Sequence, residues 1–187
     1  FLNQHKYMYQ NICDSRKQNE KENKNFKKKN KKKRKKVKKI EIRTLEKKDL
    51  IQVVALEQKI FSVPWSLKSF EDTLKRKENI YIVAENNNQV IAYCGLWGIP
   101  PDGDICNVAV AKEYRNQKVG QALIKELLKR GQDAGLHTFT LEVRKSNQPA
   151  IHLYQKFGFK SVGIRKDFYE LPKEDGIIML CHICEAV

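Results

Sequence analysis

The side chains of this chain best placed to do chemistry together are a carboxylate on a strand and a phenol on the helix after it. Glu142 lies within Thr140-Leu141-Glu142-Val143-Arg144, and Tyr154 within Asn147-Gln148-Pro149-Ala150-Ile151-His152-Leu153-Tyr154. The stretch from Thr140 to Phe159 reads as a strand, a turn, a helix and the start of another strand. Across a short turn, the two residues can meet at the C-terminal edge of a sheet. There a carboxylate can take a proton from an attacking nucleophile, and a phenol can return one to a leaving group such as a thiolate. An apolar setting among Phe139, Leu141 and Val143 would make Glu142 a stronger base. Each residue also has an ordinary reading: a solvated strand glutamate, and a core tyrosine with its hydroxyl at the rim.

A second segment could hold an anion. After an apolar strand ending at Val108-Ala109-Val110, the chain runs Arg115-Asn116-Gln117-Lys118-Val119-Gly120-Gln121 into a helix. Backbone N–H groups at a helix N-terminus, with the positive end of the helix dipole, suit a pyrophosphate. Gly120 would let backbone approach it closely, and Arg115 or Lys118 could add charge. A glycine and a basic residue ahead of a helix are more often only a helix start. Asn147 suits a helix N-cap, with Pro149 tolerated in the first turn.

The elements that must position these residues follow from periodicity. Strands are expected at 40–44, 80–84, 90–97, 105–110, 138–143, 160–164 and 177–183. Helices are expected at 48–61, from Ser66 as N-cap to about Lys75, at 118–134 with Gly135 as C-cap, and at 147–157. Asn86-Asn87-Asn88 is a turn, and Pro100-Pro101-Asp102-Gly103 a loop. Hairpins link the early strands and helices the later ones. The expectation is one α/β (α+β) domain, a mixed sheet with helices on both faces, over residues 40–187.

The chain has 187 residues and a formal net charge of +15. Residues 1–40 carry sixteen Lys/Arg against three Asp/Glu, so the remainder holds only about +2. The high pI is therefore a property of the first forty residues. Between Lys27 and Lys39 only Asn30 and Val37 are not basic. Residues 1–39 are expected to be a disordered Lys/Asn-rich extension. It is either an electrostatic arm for RNA, a ribosome, an import receptor or another acidic surface, or a solvated low-complexity stretch. Five scattered cysteines do not form a disulfide framework. Cys181-His182-Ile183-Cys184 has the spacing of half a zinc site without a second half, so no metal is expected. No apolar run has membrane-spanning length. The cytoplasm is the expected compartment, with organelle targeting by the extension as the alternative, since Phe1 leaves the start of the chain unseen.

Together the two segments resemble the GNAT N-acetyltransferases. Arg115-x-x-Lys118-x-Gly120 matches the family's Gln/Arg-x-x-Gly-x-Gly/Ala loop at two of three positions, with Lys118 where a glycine is expected. If the loop needs positive φ there, lysine costs roughly 1 kcal/mol. Leu141-Glu142-Val143-Arg144, Ser146-Asn147, Leu153-Tyr154 and Gly158-Phe159 are closer still to the RimI branch, the ribosomal-protein alanine N-acetyltransferases. So are Phe61, Pro64-Trp65-Ser66, Arg165-Lys166-Asp167-Phe168-Tyr169 and Glu174 to Met179. The resemblance spans about residues 40–184. It implies acetyl-CoA as co-substrate, held by the main chain of Val108, Ala109 and Val110, by Arg115, Asn116, Gln117, Lys118, Val119, Gly120 and Gln121, and by Asn147. It implies Glu142 as general base, Tyr154 as general acid, Trp65 and Tyr169 beside a peptide groove, and no covalent enzyme intermediate. The acceptor would be a protein N-terminus, such as the N-terminal alanine of a ribosomal protein. The alternatives are another GNAT activity (a Naa-type catalytic subunit, an internal-lysine or a small-amine enzyme) and a non-catalytic ribosome- or RNA-associated module.

Overall fold

A computed structural model describes residues 40–183. The expected basic extension over residues 1–39, with Cys13 and Cys184, lies outside the described residues. The elements run β1 (Glu41–Thr44), α1 (Leu50–Ile60), α2 (Leu67–Leu74), β2 (Asn79–Asn86), β3 (Gln89–Ile99), β4 (Asp102–Val110), α3 (Val119–Asp133), β5 (Thr138–Arg144), α4 (Gln148–Gln155), β6 (Lys160–Glu170) and β7 (Lys173–His182). Short 3-10 turns precede α1 at Lys47–Asp49 and α3 at Lys112–Tyr114.

One seven-stranded sheet has the order β1-β2-β3-β4-β5-β7-β6. Its neighbouring strands are antiparallel except β4 and β5, which are parallel. The β2–β3 hairpin turns through Asn87 and Asn88, at φ 55° and 62°. That is the left-handed pair whose twist matches a hairpin, and asparagine tolerates it well.

Alternation along the strands builds two cores. On one face of the sheet Ile82, Ala84, Phe139, Leu141 and Val143 pack with Leu123, Ile124 and Leu127 of α3 and with Ile151 and Tyr154 of α4. On the other, Tyr81, Val83, Tyr93 and Ala109 pack with Leu50, Val53 and Leu56 of α1 and Phe70 of α2. The expected mixed sheet with helices on both faces is what the chain forms. Caps set the helix boundaries. Ser66 Oγ accepts from Ser69 N at 3.0 Å. Past α3, Gly135 takes φ 84°, and Leu136 N donates back to Gly131 O at 2.9 Å.

The last hairpin is longer than periodicity predicted. β6 continues from Ile164 to Glu170 and β7 begins at Lys173 rather than Ile177. Pairing is irregular between Arg165 and Tyr169, where Asp167 has φ 54°. β6 and β7 are thus linked directly, not through a helix.

Candidate active site

The site begins where two strands part. β4 and β5 pair at Asp102–Thr138, Gly103–Phe139 and Asp104–Thr140. No further rung forms, although β4 runs on to Val110 and β5 to Arg144. A bulge at Cys106 coincides with the parting: Leu96 faces Ile105, but Gly95 faces Asn107. An extra residue bends and twists its strand, which turns β4 away from β5. On the β5 side, the backbone groups of Val108 and the N–H of Val110 therefore have no strand partner and are open to water or a ligand.

Beyond β4, the loop alternates handedness. Asn116 has φ 59° and Lys118 φ 64°, ψ 8°. Lys118 therefore holds the left-handed conformation a glycine would adopt without strain. The first α-helical bond of α3 runs from Ala122 N to Lys118 O, which leaves the N–H groups of Val119, Gly120 and Gln121 ahead of the ladder, pointing out of its start. Arg115 folds back, its Nε donating to Val110 O at 3.1 Å. That links the loop to the end of β4 and makes Arg115 a brace as well as a charge. Gln117 Nε2 likewise donates to Glu113 O at 2.7 Å. At Gly120, a Cβ would come within 3.2 Å of Leu153 Cδ2. Here glycine also serves the close approach of α3 to α4, a packing role the sequence did not suggest.

Glu142 and Tyr154 reach the parted strands from opposite faces. Leu141 and Val143 turn into the α3–α4 core, so Glu142 between them faces the α1–α2 side. Tyr154 comes from α4 within that core and is buried, in ring contact with Phe159. Burial pushes its phenol above the usual range. No hydrogen bond joins the two side chains among the described residues. The expected apolar setting for Glu142 is not found. Its side chain is 30% exposed and Arg165 Nη1 on β6 donates to it at 2.7 Å. It faces an open stretch of sheet, because α1 and α2 cover β2–β4 and not the β5-β7-β6 end.

Tyr169 does come to the site: its hydroxyl donates to the Glu142 carbonyl at 3.2 Å. Burial raises its pKa, opposed by the nearby Arg144. Trp65 packs on Phe70, ring centres 5.5 Å apart. Together with Tyr81, Trp97 and Cys106 it lines a cavity of about 310 Å³. That cavity opens beside the bulge at Cys106. Asn147 caps α4, accepting from Ala150 N at 3.3 Å.

Sequence reasoning missed the residue that organises the Glu142 face of this end of the sheet. Arg144 follows Glu142 by two on β5 and so shares its face. Its guanidinium lies 4.2 Å from the centre of the Tyr169 ring. It donates to Leu171 O at 2.8 Å and Pro172 O at 2.9 Å, and pairs with Glu174 at 3.2 Å. The same Nη2 that donates to Leu171 O reaches Ser62 Oγ at 3.4 Å, and Ser62 itself bonds Leu171 O. Glu174 also accepts from Ser146 N at 2.6 Å. One cation thereby fastens the β6–β7 tip to the loop between α1 and α2. The available signal was the alternation that puts an arginine beside the glutamate.

A buried polar group lies under the same loop. Glu57 on α1 is 1% exposed and accepts from Trp65 N at 3.1 Å and from the Tyr93 hydroxyl. Burial raises its pKa against both hydrogen bonds. The Tyr93 hydroxyl also meets the side chain of Asn107. Cys94 and Cys181 are buried free thiols and Cys106 an exposed one. Among the described residues no three His, Cys, Asp or Glu are grouped to hold a metal ion, and no helix is long and apolar enough to cross a membrane.

Residues 50–159 match the acetyltransferase (GNAT) family. The chain is 35% identical over 145 residues to a Bacillus subtilis (strain 168) protein provisionally named a ribosomal protein bS18-alanine N-acetyltransferase, covering 77% of this chain and 96% of that one. It is 32% identical over 140 residues to the ribosomal protein bS18-alanine N-acetyltransferase of Escherichia coli (strain K12), covering 74% and 94%. The crystal structure of the ribosomal-protein-S18-alanine N-acetyltransferase from Escherichia coli superposes with a TM-score of 0.73 at 31% identity, over 80% of this chain and 97% of that one.

Proposed function

The chain belongs to the GNAT acetyltransferase family and is an acetyl-CoA-dependent N-acetyltransferase; from that premise we propose that its acceptor is a protein N-terminus, the N-terminal alanine of a ribosomal protein. The observation that carries this reading is the slot between β4 and β5, with a carboxylate on one face and a buried phenol on the other. A thioester and an amine can enter such a slot from opposite sides and meet without sharing a path.

Acetyl-CoA would lie along the unpaired edge of Val108, Ala109 and Val110. Its phosphates would sit at Arg115–Gln121, where main-chain N–H groups and the α3 dipole supply the positive field. Asn147 would contact it at the start of α4. The amine enters from the open face of the sheet, beside Trp65 and Tyr169, and Glu142 accepts its proton directly or through a water. Its ion pair with Arg165 holds the carboxylate in place until an ammonium competes for it. A β4 amide polarises the thioester carbonyl. The neutral amine attacks, forming the N–C bond; C–S breaks, Tyr154 protonates the departing thiolate, and the surplus proton on the new amide nitrogen passes to water, from which the phenolate is reprotonated. No atom of the enzyme becomes covalently attached, so the free thiols are dispensable.

The Escherichia coli relative is named a ribosomal protein bS18-alanine N-acetyltransferase, which supports an N-terminal alanine as the first acceptor to try. The basic run from Lys27 to Lys39 is proposed as a contact with ribosomal RNA, which would show as a steeply salt-dependent affinity lost on its deletion.

The test is the initial rate of CoA release with an alanine-starting peptide, its N-terminally blocked twin, and a blocked peptide containing lysine, for wild type and Glu142→Gln. Turnover of the free terminus alone, reduced about a hundredfold or more in the variant, is the expected result. Turnover of the blocked lysine peptide would move the acceptor to a lysine side chain. No turnover in any arm would overturn the reading.

A further inference from the structure

Three polar or charged side chains among the described residues are deeply buried: Asp49, Glu57 and Asn107. Asp49 is answered by two Arg43 nitrogens, at 2.7 and 2.8 Å. Glu57 is answered by Trp65 N and the Tyr93 hydroxyl. Asn107 is only half answered. It is 8% exposed, and its Oδ1 has no hydrogen-bond partner among the described residues.

The amide orientation follows from its neighbours. Tyr93 gives its only hydroxyl proton to Glu57, so toward Asn107 its oxygen can only accept. The amide must therefore turn Nδ2 to Tyr93, which leaves Oδ1 as a fixed, buried acceptor. Leaving such a group open costs stability unless something else fills it.

Its position says what that could be. β4 and β5 are parallel and Asp104 lies beside Thr140. Two residues on, Glu142 comes level with the Cys106–Asn107 bulge. Ala109 faces the α1–α2 core, so Asn107, two before it, shares that face, and Glu142 faces the same way. By register, the two residues stand on adjoining strands, on the same face, where those strands part.

We propose that Asn107 Oδ1 accepts an N–H of the attacking amine and, opposite Glu142, aims its lone pair at the thioester. A primary amine keeps N–H bonds after giving one proton to Glu142, and a neutral amide oxygen can hold one without competing for the proton. Asn107 is anchored through Tyr93 and Glu57 to the backbone of Trp65, so the loop that borders the peptide also sets the position of this acceptor. The inference rests on the reading that an amine attacks from this face.

The test uses the full chain with Asn107→Leu and Asn107→Asp, and two peptides: one starting with alanine, the other with a propionyl group, which lacks only the amine. Affinities are measured by calorimetry on the CoA complex, and KM values in turnover. Asn107→Leu should weaken the alanine peptide and raise its KM about tenfold or more, with the KM for acetyl-CoA within about twofold. It should leave the affinity of the propionyl peptide unchanged. Asn107→Asp keeps an acceptor there but loses the N–H facing Tyr93 and adds a buried carboxylate near Glu57, so it should keep the preference for the alanine over the propionyl peptide at a lowered Tm. In Asn107→Leu, equal weakening of both peptides, or an unchanged peptide KM with a lowered Tm, would overturn the proposal and make the group structural. If Asn107→Leu does not fold, Asn107→Ala takes its place against the same two peptides. Failure of the functional reading shows elsewhere, as a wild type that does not turn over a free N-terminus. The variant-to-wild-type ratios are then taken on the amine that is turned over.

Discussion

Lys118 offers a way to separate backbone from charge at the start of α3. Its φ of 64° and ψ of 8° cost an L-residue about 1–2 kcal/mol, which glycine escapes. Glycine gives back about 0.5–1 kcal/mol through the freedom it adds to the unfolded chain. Lys118→Gly should therefore stabilise the ligand-free protein by about 0.5–1 kcal/mol, or about 1–4 °C in Tm for a chain of this size. Lys118→Ala keeps the strain and removes the ammonium, so its Tm should stay within about 1 °C of wild type. The charge itself is worth little. An exposed pair with a phosphate contributes about 0.2–1 kcal/mol, a factor of about 1.4–5 in Kd. Both variants should weaken acetyl-CoA by no more than that, and less so at high salt. Thermal unfolding and calorimetric titration with acetyl-CoA at two salt concentrations check both claims. A fall in Tm for Lys118→Gly would refute the assignment of strain to this residue. A loss of affinity well beyond tenfold in Lys118→Ala would refute main-chain N–H groups as the principal phosphate ligands.

Three further outcomes follow from the site and its supports. Tyr154→Phe should lower kcat about a hundredfold with little change in Tm, because the hydroxyl makes no hydrogen bond among the described residues. Burial raises the Tyr154 pKa above its ordinary 10.0, so a fall in wild-type kcat between about pH 8 and 10 would exclude Tyr154 as its source. Arg144→Leu removes the contacts to Leu171, Pro172 and Glu174. It should cost about 1–3 kcal/mol in denaturant unfolding and raise the peptide KM more than that of acetyl-CoA; an unchanged peptide KM would refute its role in shaping the groove. The hydrogen bonds from Arg43 hold the Asp49 carboxyl below its ordinary 3.8. A depressed carboxyl contributes stability that is present above the unfolded value and lost as pH falls through the folded one. Acid unfolding curves of Asp49→Asn should lack this part of the decline below about pH 4, and equal slopes would refute it.

What was legible in the sequence is what short-range rules govern. Ser66, Asn147 and Gly135 marked helix ends because caps answer to local backbone needs. Asn87 and Asn88 marked the hairpin for the same reason. The far half of β6–β7 was not legible. From Arg165 to Asp175 the chain is mostly charged, its strands project where few residues are buried, and Asp167 breaks the register. Alternation has no core to report on there. The setting of Glu142 was misjudged because the apolar neighbours that suggested burial lie on the other face, while its partner Arg165 comes from a strand twenty-three residues away. Asn107 stood in Ile105-Cys106-Asn107-Val108-Ala109-Val110 as a lone amide in an apolar run. Its unused oxygen emerges only once Tyr93 and Glu57 are beside it.

The three rungs between β4 and β5 make the sheet a hinged leaf. Strands β1–β4 form one panel and β5, β7 and β6 the other, and the backbone stitches them at one end alone. The α3–α4 core bridges the panels on one face, so the gap can widen most easily on the other, where Glu142 and Arg144 stand. Ala111 N bonds Ile91 O on β3, so by alternation the N–H groups of Val108 and Val110 face the gap; their amide hydrogens should exchange far faster than those of interior β3 in the empty protein, and a thioester laid between the panels would act as their missing rungs. The same gap that admits substrate is then a weakly protected stretch in the middle of the sheet, and its protection on filling is a direct measure of how firmly the two panels are joined.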